Sequence, residues 1–150
     1  MIKRLTHKNA IDMYEFCLRC QDKYEDWYIT KNKTRLMIKD LKLIENLLKT
    51  QEVYAIEEKE IKALLLILKE KNYRTYIKVL AEKNDDIYSL FKWLNWNINQ
   101  ELYLKVKKVN PISKISQKFF FNFIGDRGSE ILLAKHKREI KNDKPINKSS

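Results

Sequence analysis

The chain of 150 residues contains only two glycines, Gly125 and Gly128, and only two prolines. A phosphate site built on a glycine-rich loop, either a Walker A loop or a GxGxxG motif, needs more glycine than this. The longest uninterrupted apolar run, residues 63–68, is far shorter than the ~18 residues of a membrane helix. The first ten residues lack the apolar core of a signal peptide. These absences exclude most nucleotide enzymes and predict a cytoplasmic protein that does not enter a membrane.

Cysteine is equally scarce, and the two that occur form a C-x-x-C pair, Cys17 and Cys20. Thioredoxin-like chemistry places the first thiol at a helix N-terminus after a strand, whereas this pair falls within a predicted helix. His7 and His136 lie near opposite ends of the chain and complete no zinc-ligand spacing. We therefore predict two reduced, packed cysteines and no metal site. GxSxG and HExxH motifs are also missing, so nothing favours a hydrolase.

Positive charge is abundant. The chain has 31 Lys and Arg residues against 20 Asp and Glu residues, a formal net charge of +11, which favours polyanionic partners. The excess is marked after residue 135. We predict one domain over residues 1–135 and a flexible basic tail over residues 136–150. The alternative for this tail is an arm that binds nucleic acid.

Apolar periodicity predicts alternating strands and helices. Residues 28–33 are read as a polar connection, followed by a helix that Thr34 caps and that ends near Thr50. Asn84, Asp85 and Asp86 are expected to supply the cap and the acidic first turn of the third helix. The predicted strands are 1–5, 52–57, 61–69, 74–83, 101–106, 123–126 and 130–135, and the predicted helices are 10–20, 34–50, 87–97 and one that opens at residues 110–111. The order β-α-α-β-β-β-α-β-α-β-β predicts an α/β (α+β) fold, a mixed sheet flanked by helices, with a parallel crossover over residues 74–106.

This order resembles the GNAT fold of acetyl-CoA-dependent N-acetyltransferases from residue 1 to about residue 135. The second half also resembles that family in local sequence. The strand at residues 102–106 is followed by Asn110, by a helix that ends in Phe121-Asn122-Phe123, and by a hairpin containing residues 130–133. This is similar to the family's strand, Asn, helix and Gly-Phe before the last two strands. The resemblance implies transfer of an acetyl group from acetyl-CoA to an amine.

The resemblance also implies where the site residues lie. In the family, the pantetheine arm of acetyl-CoA pairs with exposed backbone of the fourth strand, here residues 74–83, and catalytic bases often lie on the second or fourth strand. The implied cofactor-binding residues are Lys78, Val79, Leu80, Lys83 and Asn110, the candidate bases are Glu57, Glu58 and Glu82, and the substrate pocket contains Trp27 and Tyr28. For Asn110, a turn or cap before Pro111 is an equal alternative.

The sequence departs from the family at the pyrophosphate loop. The family has Q/R-x-x-G-x-G/A, whose small residues let backbone N–H groups hold the phosphates. Here residues 82–86 read Glu-Lys-Asn-Asp-Asp, and each carboxylate opposes a phosphate by about 1 kcal/mol in a partly solvated site. The helix position of the family's tyrosine acid holds Gln117 or Lys118.

Two hypotheses follow. The chain is a GNAT-like N-acetyltransferase, active or degenerate, or it is a non-catalytic protein of that fold whose basic, aromatic surface binds nucleic acid or a protein partner. Trp96, opposite the apolar stripe of its helix, predicts a surface for a protein partner or a contact in a homodimer.

Overall fold

The computed structural model describes residues 1–70 and 73–139. Seven strands form one mixed sheet in the order β1-β4-β5-β6-β7-β9-β8, and β2 and β3 form a separate antiparallel hairpin. The strands are β1 (Ile2–Arg4), β2 (Tyr28–Lys31), β3 (Thr34–Met37), β4 (Glu52–Glu57), β5 (Ile61–Lys69), β6 (Thr75–Ala81), β7 (Leu102–Lys107), β8 (Asn122–Arg127) and β9 (Glu130–Lys135). The helices are α1 (Ala10–Arg19), α2 (Leu41–Thr50), α3 (Asn84–Asn97) and α4 (Ile112–Gln117).

Helices cover both faces of the sheet, and each face has its own apolar core. One core packs α1 and α2 against the sheet, and the other packs α3 and α4 against it. Strand β5 contributes to both, because Leu64 and Leu66 face α1 and α2 while Leu65 and Ile67 face the other helices. This explains its continuous apolar run, which is typical of a central strand.

The sheet opens between β6 and β7. The two strands are parallel, as the crossover predicted, but they pair only at Tyr76 with Tyr103 and at Ile77 with Leu104. On its other side β6 pairs with β5 along its whole length, up to Ala81. The carboxyl-terminal half of β6 therefore has no strand partner on the β7 side among the described residues, and its backbone groups there need other partners.

The structure corrects the prediction between residues 28 and 50. The segment read as a polar connection and a helix start is the β2–β3 hairpin, whose Asn32 and Lys33 have φ values of 52° and 65°. Two such residues form the tight turn that matches strand twist. The helix begins at Leu41, and Asp40 rather than Thr34 is its cap, since the Asp40 carboxylate accepts from the Leu43 N–H at 3.0 Å. The chain thus has two strands that the predicted order omits.

Helix α3 also begins differently from the prediction. Asn84 is its first residue and Lys83 is the N-cap, with no side-chain hydrogen bond to the first turn. Asp85 and Asp86 lie within that turn. The predicted acidic first turn is therefore confirmed, and the two acids act on the helix through charge near its positive end.

The end of the domain continues past β9. Arg138 donates its backbone N–H to Asn99 and its guanidinium to the Asn95 carbonyl. Residues 136–139 therefore lie against the end of α3, while residues 140–150 of the predicted tail lie outside the described residues. Trp96 on the same helix is 76% exposed, and its contact with a second copy stays a prediction.

Both cysteines are free. Cys17 is buried in α1 and Cys20 is half-buried just beyond it. Burial raises the pKa of Cys17 to about 12 and that of Cys20 to about 11. Both side chains are therefore protonated thiols near neutral pH, which is the state of packed cysteines and not of redox nucleophiles.

Candidate functional site

A cavity of about 420 Å³ lies at the opening between β6 and β7. Three features surround it: the end of β6, the first turns of α3 and α4, and the loop that follows α1. The lining residues are Gln21, Asp22, Lys23, Tyr24, Trp27, Ala81, Glu82, Asn84, Ile87, Asn110, Pro111 and Ile112. We call this space the donor cavity. Its position beside unpaired strand backbone suits an extended ligand that carries amide groups.

Asp26 closes the inner side of this opening. Its side chain is 2% exposed and accepts from the Lys107 N–H at 3.2 Å and from Asn110 Nδ2 at 2.7 Å. The carboxylate of Asp22 accepts from the N–H groups of Asp26 and Trp27, which fixes the loop. Burial raises the pKa of Asp26, although the hydrogen bonds to its carboxylate oppose that rise. The loop after α1 is thereby attached to the end of β7.

A second group of polar side chains lies on the α1 and α2 side of β6. Lys78 is 8% exposed, and its Nζ lies 4.2 Å from the centroid of the Tyr28 ring. The Arg35 guanidinium lies 3.9 Å from the same centroid, and the Tyr28 hydroxyl donates to Glu130. These contacts hold the β2–β3 hairpin over the sheet. We call Tyr28, Arg35, Lys78 and Glu130 the hairpin cluster.

Charge and burial shift the pKa values of two groups in the hairpin cluster. Burial lowers the pKa of Lys78 to about 8, although Asp26 and Glu130 favour its charged form. Burial and the hydrogen bond to Glu130 raise the pKa of Tyr28. Beside the cluster is a pocket of about 30 Å³ whose lining includes Tyr28, Glu70, Tyr76, Lys78 and Lys105.

The residues implied at the cofactor site are dispersed around the opening. Val79 packs into the core below α3, whereas Leu80 packs into the core below α1 and α2, so only their backbone can meet a ligand in the opening. Lys83 precedes α3. Asn110 lines the donor cavity, and its Oδ1 accepts from the Ile112 N–H at 3.0 Å. Asn110 therefore forms the turn before α4 that was the alternative to a cofactor contact. Its amide nitrogen donates a hydrogen bond to Asp26.

The structure separates the three candidate bases. Glu57 forms an ion pair of 2.7 Å with Lys3, and Glu58 lies 3.9 Å from Lys62; neither lines the donor cavity. Glu82 does line it, and its Oε2 accepts from the Gln21 N–H at 2.9 Å.

Trp27 and Tyr28 are each only 4% exposed. Trp27 stacks on Phe16 with centroids 5.6 Å apart and forms part of the donor-cavity wall. Tyr28 lines the small pocket on the other side. Buried rings of this kind cannot serve as an open stacking surface for bases. The pair therefore lies between the donor cavity and the small pocket.

Sequence reasoning missed Asp26 and Glu130. Asp26 precedes two aromatic residues in a loop, and Glu130 begins the last strand; nothing in their local pattern distinguishes them from solvated acids. They lie near the opening because segments that are distant in sequence pack together there.

The outer end of the donor cavity is acidic. Asp22 and Glu82 line it, Lys23 is the one basic residue among the described lining residues, and Asp85 and Asp86 follow in the first turn of α3. Burial raises the pKa of Asp86. The inner part thus fits an uncharged amide chain, while the outer part opposes a phosphate group.

The fold is that of the GNAT acetyltransferases. An N-acetyltransferase from Staphylococcus aureus Mu50 superimposes with a TM-score of 0.65 at 16% identity, covering 91% of this chain and 96% of that one. The GNAT domain of S. lividans PAT superimposes with a TM-score of 0.67 at 11% identity, covering 89% of this chain and 88% of that one. The ribosomal L7/L12 acetyltransferase RimL, in complex with coenzyme A, superimposes with a TM-score of 0.59 at 10% identity, covering 91% of this chain and 93% of that one.

No family model and no curated protein sequence matches the chain. The likeness is therefore one of fold. Within residues 1–70 and 73–139, no helix has the length and apolar character needed to cross a membrane.

Proposed function

We propose that the chain is an N-acyltransferase that takes a short acyl group from a coenzyme A thioester and transfers it to an amine. The observation that carries the proposal is the early end of the β6–β7 ladder at Ile77 and Leu104, directly before the donor cavity. An extended pantetheine arm supplies the amide groups that this half of β6 lacks. The structure of RimL with coenzyme A supports the choice of donor for this fold.

The residues around the opening would have distinct tasks. The backbone of β6 from Lys78 to Ala81 pairs with the donor's amide groups. Asp26 and Asn110 hold the end of β7 and the start of α4 apart from β6. Of the predicted bases, Glu82 is the one that lines the cavity, but it lies at the outer end, where the phosphates of the donor would be, so we assign it no proton transfer at the thioester.

Binding of acetyl-CoA tests this proposal directly. At ~100 times the dissociation constant a ligand adds about 2.7 kcal/mol to the free energy of unfolding, which raises the melting temperature of a domain of this size by roughly 5 to 10 °C. The blocking variant is Asn84→Trp, an exposed residue that lines the donor cavity. Its matched control is Asn97→Trp, an exposed residue at the other end of α3.

The expected result is a clear shift for the wild type and for Asn97→Trp, and a much smaller one for Asn84→Trp. An equal shift in all three would place the ligand elsewhere. No shift at millimolar acetyl-CoA in the wild type would remove the acyltransferase proposal.

The second candidate is binding of single-stranded nucleic acid, and one observation favours it. The rings of Tyr76 and Tyr103 lie 5.6 Å apart. The Arg74 guanidinium lies 4.5 Å from the centroid of Tyr103, and Lys105 Nζ lies 5.8 Å from that of Tyr76. Half-buried tyrosines beside cations suit stacking on bases.

This candidate predicts affinity for an oligonucleotide that falls steeply with salt and drops when Tyr103 is changed to Leu. Binding that is unchanged in Tyr103→Leu would exclude these tyrosines as the binding surface.

A further inference from the structure

Lys78 occupies a special place on β6. It is the first residue after the last pair with β7, Ile77 with Leu104. Its neighbours Ile77 and Val79 face α3 and α4, so its own side chain extends to the opposite face, beneath the β2–β3 hairpin. Its backbone therefore borders the opening, while its amine lies beside the small pocket that Tyr76 and Lys105 also line.

The Lys78 amine is not held by a carboxylate. Among the residues that the structure describes, the ion pairs within 4.0 Å do not include Lys78. The two nearby acids are engaged elsewhere: Asp26 accepts from Lys107 and Asn110, and Glu130 accepts from the Tyr28 hydroxyl. The contact that Lys78 does make is with the face of the Tyr28 ring, 4.2 Å from Nζ to the centroid. Loss of the proton from Lys78 therefore breaks no ion pair among the described residues, and the neutral amine has a free lone pair.

The protonation state of Lys78 also favours it as a nucleophile over an ordinary exposed lysine. With a pKa of about 8, roughly half of its amine is neutral at pH 8, whereas an ordinary lysine of pKa ~10.4 is almost fully charged. Attack on a thioester requires the neutral form. The charged and titratable groups that face Lys78 or line its pocket are Asp22, Asp26, Tyr28, Glu70, Tyr76, Lys105 and Glu130.

We propose that Lys78 is itself an acyl acceptor, modified by the thioester held at the opening of the sheet. The Nζ lone pair attacks the thioester carbonyl carbon, the carbon–sulfur bond breaks, and coenzyme A leaves as a thiolate. The proton lost from Nζ passes to that thiolate or to water, and a stable amide remains on Lys78. The acyl group on Lys78 would lie in the small pocket beside the amine, which Tyr76 and Lys105 also line. This inference rests on the proposed function, because the donor must first bind.

The experiment incubates the full chain with acetyl-CoA at pH 8 and measures intact mass, followed by peptide mapping. We expect one acetyl group per chain, on Lys78, before the exposed lysines react. Lys78→Arg keeps the positive charge and is expected to lose this first modification. Lys92→Arg, at an exposed lysine of α3 that lines neither cavity, is the matched control and is expected to keep it. The rate at Lys78 is expected to rise with pH up to about 8 and then to level.

Three further readouts separate the outcomes. Acetylation that follows exposure, with Lys78 among the last lysines, overturns the proposal. So does equal labelling of Lys78 by acetyl phosphate, which has no pantetheine arm, because the donor cavity would then not be needed. Calorimetry on the same sample measures acetyl-CoA binding. Binding without modification of Lys78 overturns the self-acylation alone and leaves the donor site, whereas absence of binding overturns both.

Discussion

The hydrogen bond between Asp26 and Asn110 stabilises the opening between β6 and β7, and exchanging the two side chains tests this role. Asn110 Nδ2 donates to Asp26 at 2.7 Å, while its Oδ1 accepts from the Ile112 N–H. The other contact of Asp26 is with the Lys107 N–H. Exchanging the two side chains, Asp26→Asn with Asn110→Asp, preserves every one of these bonds. The carboxylate then at position 110 would accept from the Ile112 N–H and from the amide at position 26, whose oxygen would accept from the Lys107 N–H.

Each single change breaks this arrangement. Asp26→Asn places an amide group, which is itself a donor, against the two donors Lys107 N–H and Asn110 Nδ2. One buried group then lacks a partner, which lowers the free energy of unfolding by about 1 to 3 kcal/mol. Asn110→Asp places two carboxylates in one buried contact. One of them must then hold a proton about three pH units above its ordinary pKa, which costs about 4 kcal/mol at pH 7.

The measurement is the free energy of unfolding of the wild type, both single variants and the double variant by urea denaturation. We expect the double variant within about 1 kcal/mol of the wild type, and so a coupling energy of at least about 3 kcal/mol. The cost of Asn110→Asp should also shrink toward pH 4, where a carboxyl group takes up a proton readily. Additive losses in the double variant would refute the hydrogen bonding described here.

Three further predictions concern separate parts of the molecule. Phe120 has a φ of 72° and is 63% exposed, so Phe120→Gly should raise the free energy of unfolding by about 1 kcal/mol; Phe120→Ala, which keeps the strain, should not, and equal effects would contradict this explanation. The lowered pKa of Lys78 means that the folded state binds the proton less tightly than the unfolded state, so stability rises as pH increases from below 8 toward the ordinary lysine pKa. Lys78→Met should remove roughly 3 kcal/mol of that rise in paired urea titrations, and identical pH profiles would count against a buried amine. Asp85→Asn and Asp86→Asn should each tighten acetyl-CoA binding about fivefold in calorimetry, since each removes about 1 kcal/mol of repulsion at the phosphates; Glu45→Gln on α2 is the control, and equal affinity in all variants would show that the phosphates lie away from α3.

The sequence predicted the central and carboxyl-terminal strands well because their signals are local. The apolar run in β5 and the alternation in β7 each identify a strand without reference to the rest of the chain. The parallel pairing of β6 with β7 followed from the crossover through α3. In contrast, the hairpin at residues 28–37 was missed because Met37, Leu41, Ile44 and Leu48 fit helical spacing, and the helix was extended backwards over it.

The sequence does contain a signal for the correct start of α2, but the helical spacing of the apolar residues outweighed it. Asp40 is a better cap than Thr34. The Asn32 and Lys33 turn lies between two short strands in which Tyr28 is the buried residue, so neither strand has an alternating apolar pattern. The position of the hairpin is therefore a consequence of tertiary contact. Tyr28 reaches Glu130 across 102 residues of sequence, and no local pattern reports such a contact.

The same dependence on distant contacts shapes the site as a whole. Trp27 lines the donor cavity and Tyr28 the small pocket, and the two spaces share no lining residue within the described part of the chain. Asp26, Tyr28 and Lys78 stand between them, so an amine arriving through the small pocket meets Lys78 before it meets a donor at the opening. The order in which acetylated Lys78 and an acetylated external amine form would therefore show which reaction the folded chain favours.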